Sequence, residues 1–381
     1  MDLHELRTWV ELSEENIVHN YTTFRSLINP ATKIMAVVKS NAYGHGLIDF
    51  SRLIVEAGVD WLAVDSVVEG LRLRKEGIVI PILVLGYTLP ARVKEAVEAD
   101  ITLMVSSFDT LESYIQLELE QPVNIHVKVD TGMHRLGFAQ HEQNEVMEFL
   151  KNHKESFNFN GLFTHFAAAK NPADRTFTEK QLNVFNEWIA TSRQAGFTPL
   201  IHAGATAATL IYPEAQFDMV RIGAGLYGIW PADAIESAKK AELQLKPVLT
   251  WKTLLIEKKK VPQGEGIGYD LSTTLTRDSQ IAICPIGYWH GFPRSLSNKG
   301  SVLIRGKRAQ VLGRVAMDMI VLDVTDIPDA QVGDEVVLIG KDGSEEITSR
   351  DIAQLADTSA YEILTRLNPL LKKVITHASS H

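Results

Sequence analysis

Residues 33–46 read KIMAVVKSNAYGHG. An unbroken apolar run, IMAVV, ends in Lys39 and then in a turn rich in glycine. A strand covered on both faces needs no polar alternation, so this is the signature of a buried parallel strand running into a loop. The next stretch, GLIDFSRLIVEAG, has the apolar spacing of a helix lying on a sheet.

Working outward, the same couple recurs. Strands are predicted at KIMAVVK (33–39), WLAVD (61–65), ILVLG (82–86), ITLMV (101–105), VNIHVKVD (123–130), FNGLFTH (159–165), PLIHA (199–203) and DMVRIG (218–223). Helical stretches such as SVVEGLRLRKEG, LPARVKEAVEA and EKQLNVFNEWIATSRQAG separate them, and one more near 13–28 precedes the first. Eight β/α alternations in about 200 residues predict a (β/α)8 TIM-like barrel over residues 9–235. Periodicity alone also admits an open doubly wound sheet.

Beyond residue 235 the texture changes. PVLTWKTLLIEKKKV, IAICPIG, SVLIRG, KRAQVLGRVAMDMIVLDV and DEVVLIG alternate, with NKG, KDG and IPDAQVGD as turns. This predicts a mainly antiparallel β domain over 236–381, closed by a helical pair (SRDIAQLA, SAYEILTRL) and KKVIT. LRTWVEL reads as a strand without a neighbour, and the chain start, residues 1–8, is assigned to that second domain.

The 381 residues carry 38 Lys+Arg against 47 Asp+Glu, a net charge of −9. That sign gives no general attraction to phosphate backbones or anionic lipid, which argues against nucleic-acid and membrane partners. A single cysteine, Cys284, cannot form an internal disulfide and fits a reducing cytoplasm. The polar start MDLHELRTWVELSEEN lacks a secretory apolar region. The longest apolar run, IVIPILVLGYTLP, is broken by Pro81 and Pro90, well short of the roughly 18 residues a membrane span needs. The histidines show no HExxH spacing, so no metal is expected.

Barrel chemistry gathers at the C-terminal ends of the strands. Those ends supply Lys39, Asp65, Gly86, Lys128, Asp130, Arg135, His165, Thr206, Arg221 and Gly223. A lysine rising from a buried strand has its ammonium form disfavoured by desolvation, which makes a nucleophile or Schiff-base former. The same lysine could simply end its strand and reach water. The glycines after Tyr43 suit a close approach of backbone to a ligand, as they suit any tight loop.

VVKSNAYGHG resembles the cofactor-lysine motif of the alanine racemases, enzymes of pyridoxal 5′-phosphate (PLP). HVKVDTGMHRLGF, THFAAAK, VRIGAGLYG, LKPVLTWKT, PIGYWHGFPR, GRVAMDM and SAYEILTRL resemble that family's further blocks, in its order, over about 330 residues. The resemblance implies a racemase acting between L- and D-alanine, an isomerase that supplies a peptidoglycan precursor. Lys39 would hold PLP and serve as one catalytic base. The cofactor phosphate would meet the N–H groups of Gly223 and Ala224 and the hydroxyls of Tyr43, Thr206 and Tyr361. Arg221, oriented by His165, would face the pyridine nitrogen, where most PLP enzymes place a carboxylate. Tyr269 would be the second base, delivered from the partner in a head-to-tail homodimer. Arg135 and the backbone of Met317 would bind the substrate carboxylate. Lys128 stands where many family members carry a carbamylated lysine, and Tyr288 with Tyr361 would narrow the entrance.

The chain departs from the family in places. HAGATAA stands for the commoner HxANSAA, putting Ala205 and Thr206 for asparagine and serine. Trp289 and His290 in PIGYWHGFPR replace small and acidic residues near the entrance. Ala316 stands where a cysteine is frequent, and Ser359 where a bulky aliphatic is common. These changes keep open a racemase for serine, lysine, ornithine or several side chains. A non-catalytic PLP-binding protein would lack the second domain, and a decarboxylase would need a catalytic cysteine, whereas Cys284 reads as core. Gly264, Gly266 and Gly268 mimic a nucleotide-binding pattern without its strand-then-helix setting.

Overall fold

The computed structural model describes residues 5–377. By contacts the chain divides into two units. One comprises Glu15–Ala42 and Phe50–Lys246; the other comprises the residues up to Glu14, Tyr43–Asp49 and everything from Pro247 on.

Strand β1, Thr8–Ser13, belongs to the second unit. The first unit holds eight parallel strands: β2 (Lys33–Val37), β3 (Trp61–Val64), β4 (Ile82–Val84), β5 (Ile101–Val105), β6 (Val123–Lys128), β7 (Phe157–Phe163), β8 (Leu200–His202) and β9 (Met219–Ile222). Their order is β8-β7-β6-β5-β4-β3-β2-β9. The ring closes through an Ala205–Arg221 bridge, with the Arg221 N–H donating to the Gly204 carbonyl at 2.9 Å. This is the expected nearly closed barrel, and the open sheet is set aside. Every residue of β3, β4, β5 and β9 is buried, as the apolar runs require. Helices begin where the sequence offers a cap: the Ser66 and Ser107 side chains each accept a first-turn N–H.

The second unit is built on one large, mainly antiparallel sheet. Its strands run in the order Glu257–Val261, Ser279–Cys284, Ile320–Asp323, Lys307–Leu312, Ser301–Ile304, Glu335–Asp342, Leu249–Leu254, β1 and Lys372–Thr376. The strand read at LRTWVEL pairs antiparallel with Leu249–Leu254 and parallel with Lys372–Thr376. Helices Ser349–Ala356 and Ala360–Thr365 pack against each other, the first also against the turn Arg294–Leu296. No helix among the described residues is long and apolar enough to cross a membrane.

Candidate active site

Lys39 follows β2 after one residue, the buried Val38. Its side chain is 36 % exposed, and its Nζ donates to Asp65 Oδ1 at 3.0 Å. The apolar run gave no sign of this aspartate, which stands at the end of the next strand. Ser40, Asn41, Ala42 and Tyr43 all have φ between 52° and 56°. Four non-glycine residues in the left-handed region cost on the order of 1–2 kcal/mol each, so surrounding structure must hold this turn. Part of the hold is visible: Glu69 accepts the Asn41 N–H at 3.2 Å.

Arg221, on β9, is 3 % exposed. Its Nη1 donates to His202 Nδ1 at 2.8 Å and to the His202 carbonyl at 3.0 Å. Its Nη2 donates to the carbonyls of Thr164 at 2.7 Å and Ala203 at 2.9 Å, with His165 Nδ1 at 3.3 Å. No carboxylate is among these partners, and burial pulls the guanidinium down to about 9. Every one of these bonds comes from an Nη, so Nε–H is the donor left uncommitted. Burial and then the charge of Arg221 push His165 down to about 3, with smaller help from Arg135, Lys128 and Lys39.

Lys128 ends β6 and is 6 % exposed. Burial first, then the charges of Arg135, Arg221 and Lys39, bring it down to about 8 against a weaker opposing pull from Asp130. Asp130 shapes the following loop, its Oδ1 accepting the N–H groups of Gly132, Met133 and His134 at 2.9, 2.9 and 3.1 Å. Burial works against that carboxylate, but these donors outweigh it and hold it below the usual range. Arg135 is exposed at the end of this loop. Buried Gln181 ties the loops after β6 and β7 together: its amide donates to Thr131 Oγ1 and the His165 carbonyl and accepts the Ala167 N–H.

Beyond β9, the N–H groups of Gly223 and Gly225 both lie 3.3 Å from Thr206 Oγ1. The N–H of Ala224 opens the 3-10 turn Ala224–Tyr227, where first-turn donors have no intrahelical acceptor. A Cβ on Gly225 would lie 2.3 Å from the Phe24 ring, so glycine is required there by packing.

The other unit holds the remaining candidates. Tyr43 and Tyr361 stand ring to ring at 6.0 Å, and burial pushes the Tyr43 phenol up to about 12 and raises that of Tyr361. Gly44 is glycine because a Cβ would meet the Leu364 carbonyl at 1.9 Å; packing within this unit accounts for it. Tyr269 is 71 % exposed on a loop where Gly268, Asp270 and Leu271 all have positive φ. The Asp270 carboxylate lies 2.9 Å from Arg314 Nε as an ion pair outside hydrogen-bond geometry, an electrostatic tie on the loop. Tyr288 and Trp289 donate their N–H groups to the carbonyls of Ala316 and Met317 at 3.1 and 3.0 Å. So Tyr288 and Met317 are neighbours.

The departures resolve into local roles. His290 is buried and accepts the Gly287 N–H on Nδ1 at 3.2 Å, so it braces the turn behind the exposed Trp289. Ser359 caps helix Ala360–Thr365 by accepting the Glu362 N–H at 3.3 Å. Cys284 is fully buried, and burial raises its thiol. The residues that sequence reading overlooked are His202, His126 and the Asp270–Arg314 pair. A histidine inside the apolar strand PLIHA, and another two places before Lys128, were the available signals.

Residues 12–231 match the family described as "Alanine racemase, N-terminal domain", and residues 248–375 match "Alanine racemase, C-terminal domain". The chain is 40 % identical over 363 residues to an alanine racemase of Halothermothrix orenii, covering 94 % of this chain and 93 % of that one. Among solved structures, an alanine racemase of Clostridium difficile 630 superposes with a TM-score of 0.91 at 34 % identity, covering 98 % of this chain and 96 % of that one. The alanine racemase from Bacillus anthracis with bound L-Ala-P gives 0.91 at 33 % identity, covering 98 % and 95 %.

Proposed function

The chain belongs to the alanine racemase family, and from that premise we propose how its own residues interconvert L- and D-alanine with PLP as cofactor. The observation that carries the reading is Arg221, a buried cation without a carboxylate, whose one uncommitted N–H sits on the strand beside Lys39. The donor set suits PLP: an amine for the aldehyde, a guanidinium N–H for the ring nitrogen, and N–H groups at 223–225 with hydroxyls for the phosphate.

PLP, when bound, supplies an electron sink that acidifies the α-hydrogen of an amino acid. Lys39 holds the cofactor and moves that proton on one face. Tyr269 moves it on the other, because a single base returns a proton to the face it left. Even lowered to about 9, Arg221 keeps its proton near neutral pH and only donates a hydrogen bond, which limits charge withdrawal and favours return of the proton to Cα. Thr206, Gly223, Ala224, Tyr43 and Tyr361 hold the phosphate, and His165 orients Arg221. Arg135 and the N–H of Met317 hold the substrate carboxylate. Lys128, as a carbamate formed from its neutral amine and CO2 with loss of a proton, positions Arg135. Tyr288 and Tyr361 narrow the entrance.

Tyr269 reaches the site from a second copy in a head-to-tail homodimer. What supports this is its exposure, shared by Leu271, Trp289, Met317 and Met319 in the same unit. Trp289 and Met317 are neighbours, and exposed apolar side chains that adjoin in this way suit an interaction surface. The single buried cysteine supports a reducing, cytoplasmic setting.

The test is α-deuterium incorporation with chiral analysis of an L-amino-acid mixture incubated with enzyme and PLP in heavy water. Label chiefly in alanine, with D-alanine formed, is the expected result. Label in serine, lysine or ornithine instead would move the substrate, and no label with PLP bound would overturn the racemase reading.

A further inference from the structure

The interior of a barrel is ordinarily filled by branched aliphatic side chains. Here β6 and β8 send two imidazoles inward: His126 and His202 are both fully buried, with His126 Nδ1 2.9 Å from His202 Nε2. The surroundings are built to fit them. His202 stacks on Phe163 at 4.8 Å and 6°, and His126 packs against Trp61 at 5.3 Å. Gly161, inside β7, lies against His126: a Cβ there would come within 2.4 Å of its ring. A mid-strand glycine weakens a strand, so room for this ring is made at a cost.

The hydrogen-bond directions follow from one fixed point. Arg221 can only donate, so His202 Nδ1, 2.8 Å from Nη1, must present a lone pair. Neutral His202 then carries its proton on Nε2 and donates it to His126 Nδ1. His126 in turn carries its proton on Nε2, and that atom is buried without a partner. The chain of donors thus ends in an unsatisfied N–H, a cost that folded proteins seldom accept without a use. Burial and then the Arg221 charge keep both rings neutral, His126 down to about 3 and His202 further displaced in the same direction.

We infer that His126, fully buried against His202, is a positioning residue for racemisation: by accepting from His202 it fixes the tautomer that lets His202 hold Arg221. Without that acceptor, His202 is free to place its proton on Nδ1, where it opposes the guanidinium N–H. Arg221 then loses one of the bonds that aim its uncommitted Nε–H. The inference rests on Arg221 serving the reaction as proposed above.

The first measurement is the tautomer itself, read by ¹⁵N NMR on histidine-labelled wild-type chain with and without PLP. Nε2–H at both His126 and His202 is expected; Nδ1–H at His202 overturns the inference whether or not the protein racemises alanine. The second is a pair of variants. His126→Phe should lower kcat by roughly 10- to 100-fold with KM for alanine nearly unchanged, the usual scale for removing a group that orients a reactive side chain. His126→Gln, whose amide oxygen can accept from His202, should recover most of the rate and the Nε2–H tautomer. A His126→Phe protein that folds, with kcat and the His202 tautomer unchanged, would also overturn it. Loss of racemisation in the wild type with the tautomers as expected would instead strike the proposed function, leaving the hydrogen-bond order of His126, His202 and Arg221 without that reaction to serve.

Discussion

Arg221 and Tyr269, two groups assigned here to one reaction, stand in opposite physical settings. Arg221 is 3 % exposed and held by two imidazoles and three carbonyls, all supplied by the barrel. Tyr269 is 71 % exposed on a loop of positive φ, tied electrostatically by the Asp270–Arg314 ion pair. The barrel completes its part within one chain. The loop is left for something else to complete, and a second copy of this chain is the economical candidate. The contrast can be broken by experiments that treat the two settings separately.

The largest effect should come from removing either base. Lys39→Ala and Tyr269→Phe should each cut L-to-D conversion by roughly 10⁴-fold or more, while Tyr269→Phe still exchanges the α-proton of the D-isomer through Lys39. Mixing the two inactive proteins tests the contrast directly. If each site takes Lys39 from one chain and Tyr269 from the other, random hybrids restore up to about a quarter of wild-type activity, because half the dimers carry one intact site. Subunit exchange without recovery would mean that the exposed loop completes its own chain.

Acid should find the barrel's weakness. His126 and His165 are held down to about 3, and His202 well below its ordinary value, by burial first and then by Arg221. The unfolded chain therefore binds protons that the folded one refuses, so this stability is full above about pH 6.5 and drains as pH falls toward 3. At its steepest the loss approaches three protons, about 4 kcal/mol per pH unit. Urea titrations between pH 7 and pH 4.5 would show it, and a flat midpoint across that range would mean that the imidazoles take up protons inside the fold.

The two settings were also unequally legible. Apolar runs placed eight barrel strands, because burial on both faces leaves a signal in composition alone. They placed Lys39, Lys128 and Arg221 at strand ends for the same reason. The runs could not show that Asp65 would balance Lys39, since that contact joins residues 26 apart through barrel curvature. Nor could they show His126 against His202, which are 76 apart and meet only when β6 and β8 turn the same face inward. Around Tyr269 the sequence offered glycines but no periodicity. Its placement depends on positive φ at Asp270 and Leu271, which no residue type announces.

A smaller effect should follow from loosening the loop. Arg314→Ala removes the partner of Asp270 but leaves Tyr269 itself in place. Misplacing a reacting group by about an ångström is costly, so kcat should fall roughly tenfold while PLP binding stays as it was. An unchanged kcat would mean that the partner surface alone positions Tyr269, which would sharpen the contrast with the self-sufficient barrel.

The smallest effect belongs to Lys128. Burial, then Arg135, Arg221 and Lys39, bring this amine down to about 8. Roughly a tenth of it is neutral at pH 7, against roughly 0.03 % for a lysine at its ordinary value, and only the neutral amine reacts with CO2. Carbamylation would turn a repelling cation beside Arg135 into an anion that pairs with it, so the modification relieves the strain that makes it reachable. Removing dissolved CO2 should raise KM for alanine by about two- to threefold, the scale of a weakened partly exposed ion pair, and added bicarbonate should restore it. The neutral fraction falls tenfold for each pH unit below 7, so restoration should be slower at pH 6 than at pH 8. Mass spectrometry of the native protein, with Lys128→Arg as control, would locate the added group. If Lys128 stays unmodified at pH 8 in bicarbonate, the barrel carries an ammonium beside Arg135 that Asp130 offsets only in part, and its part of the site is less complete than Arg221 suggests.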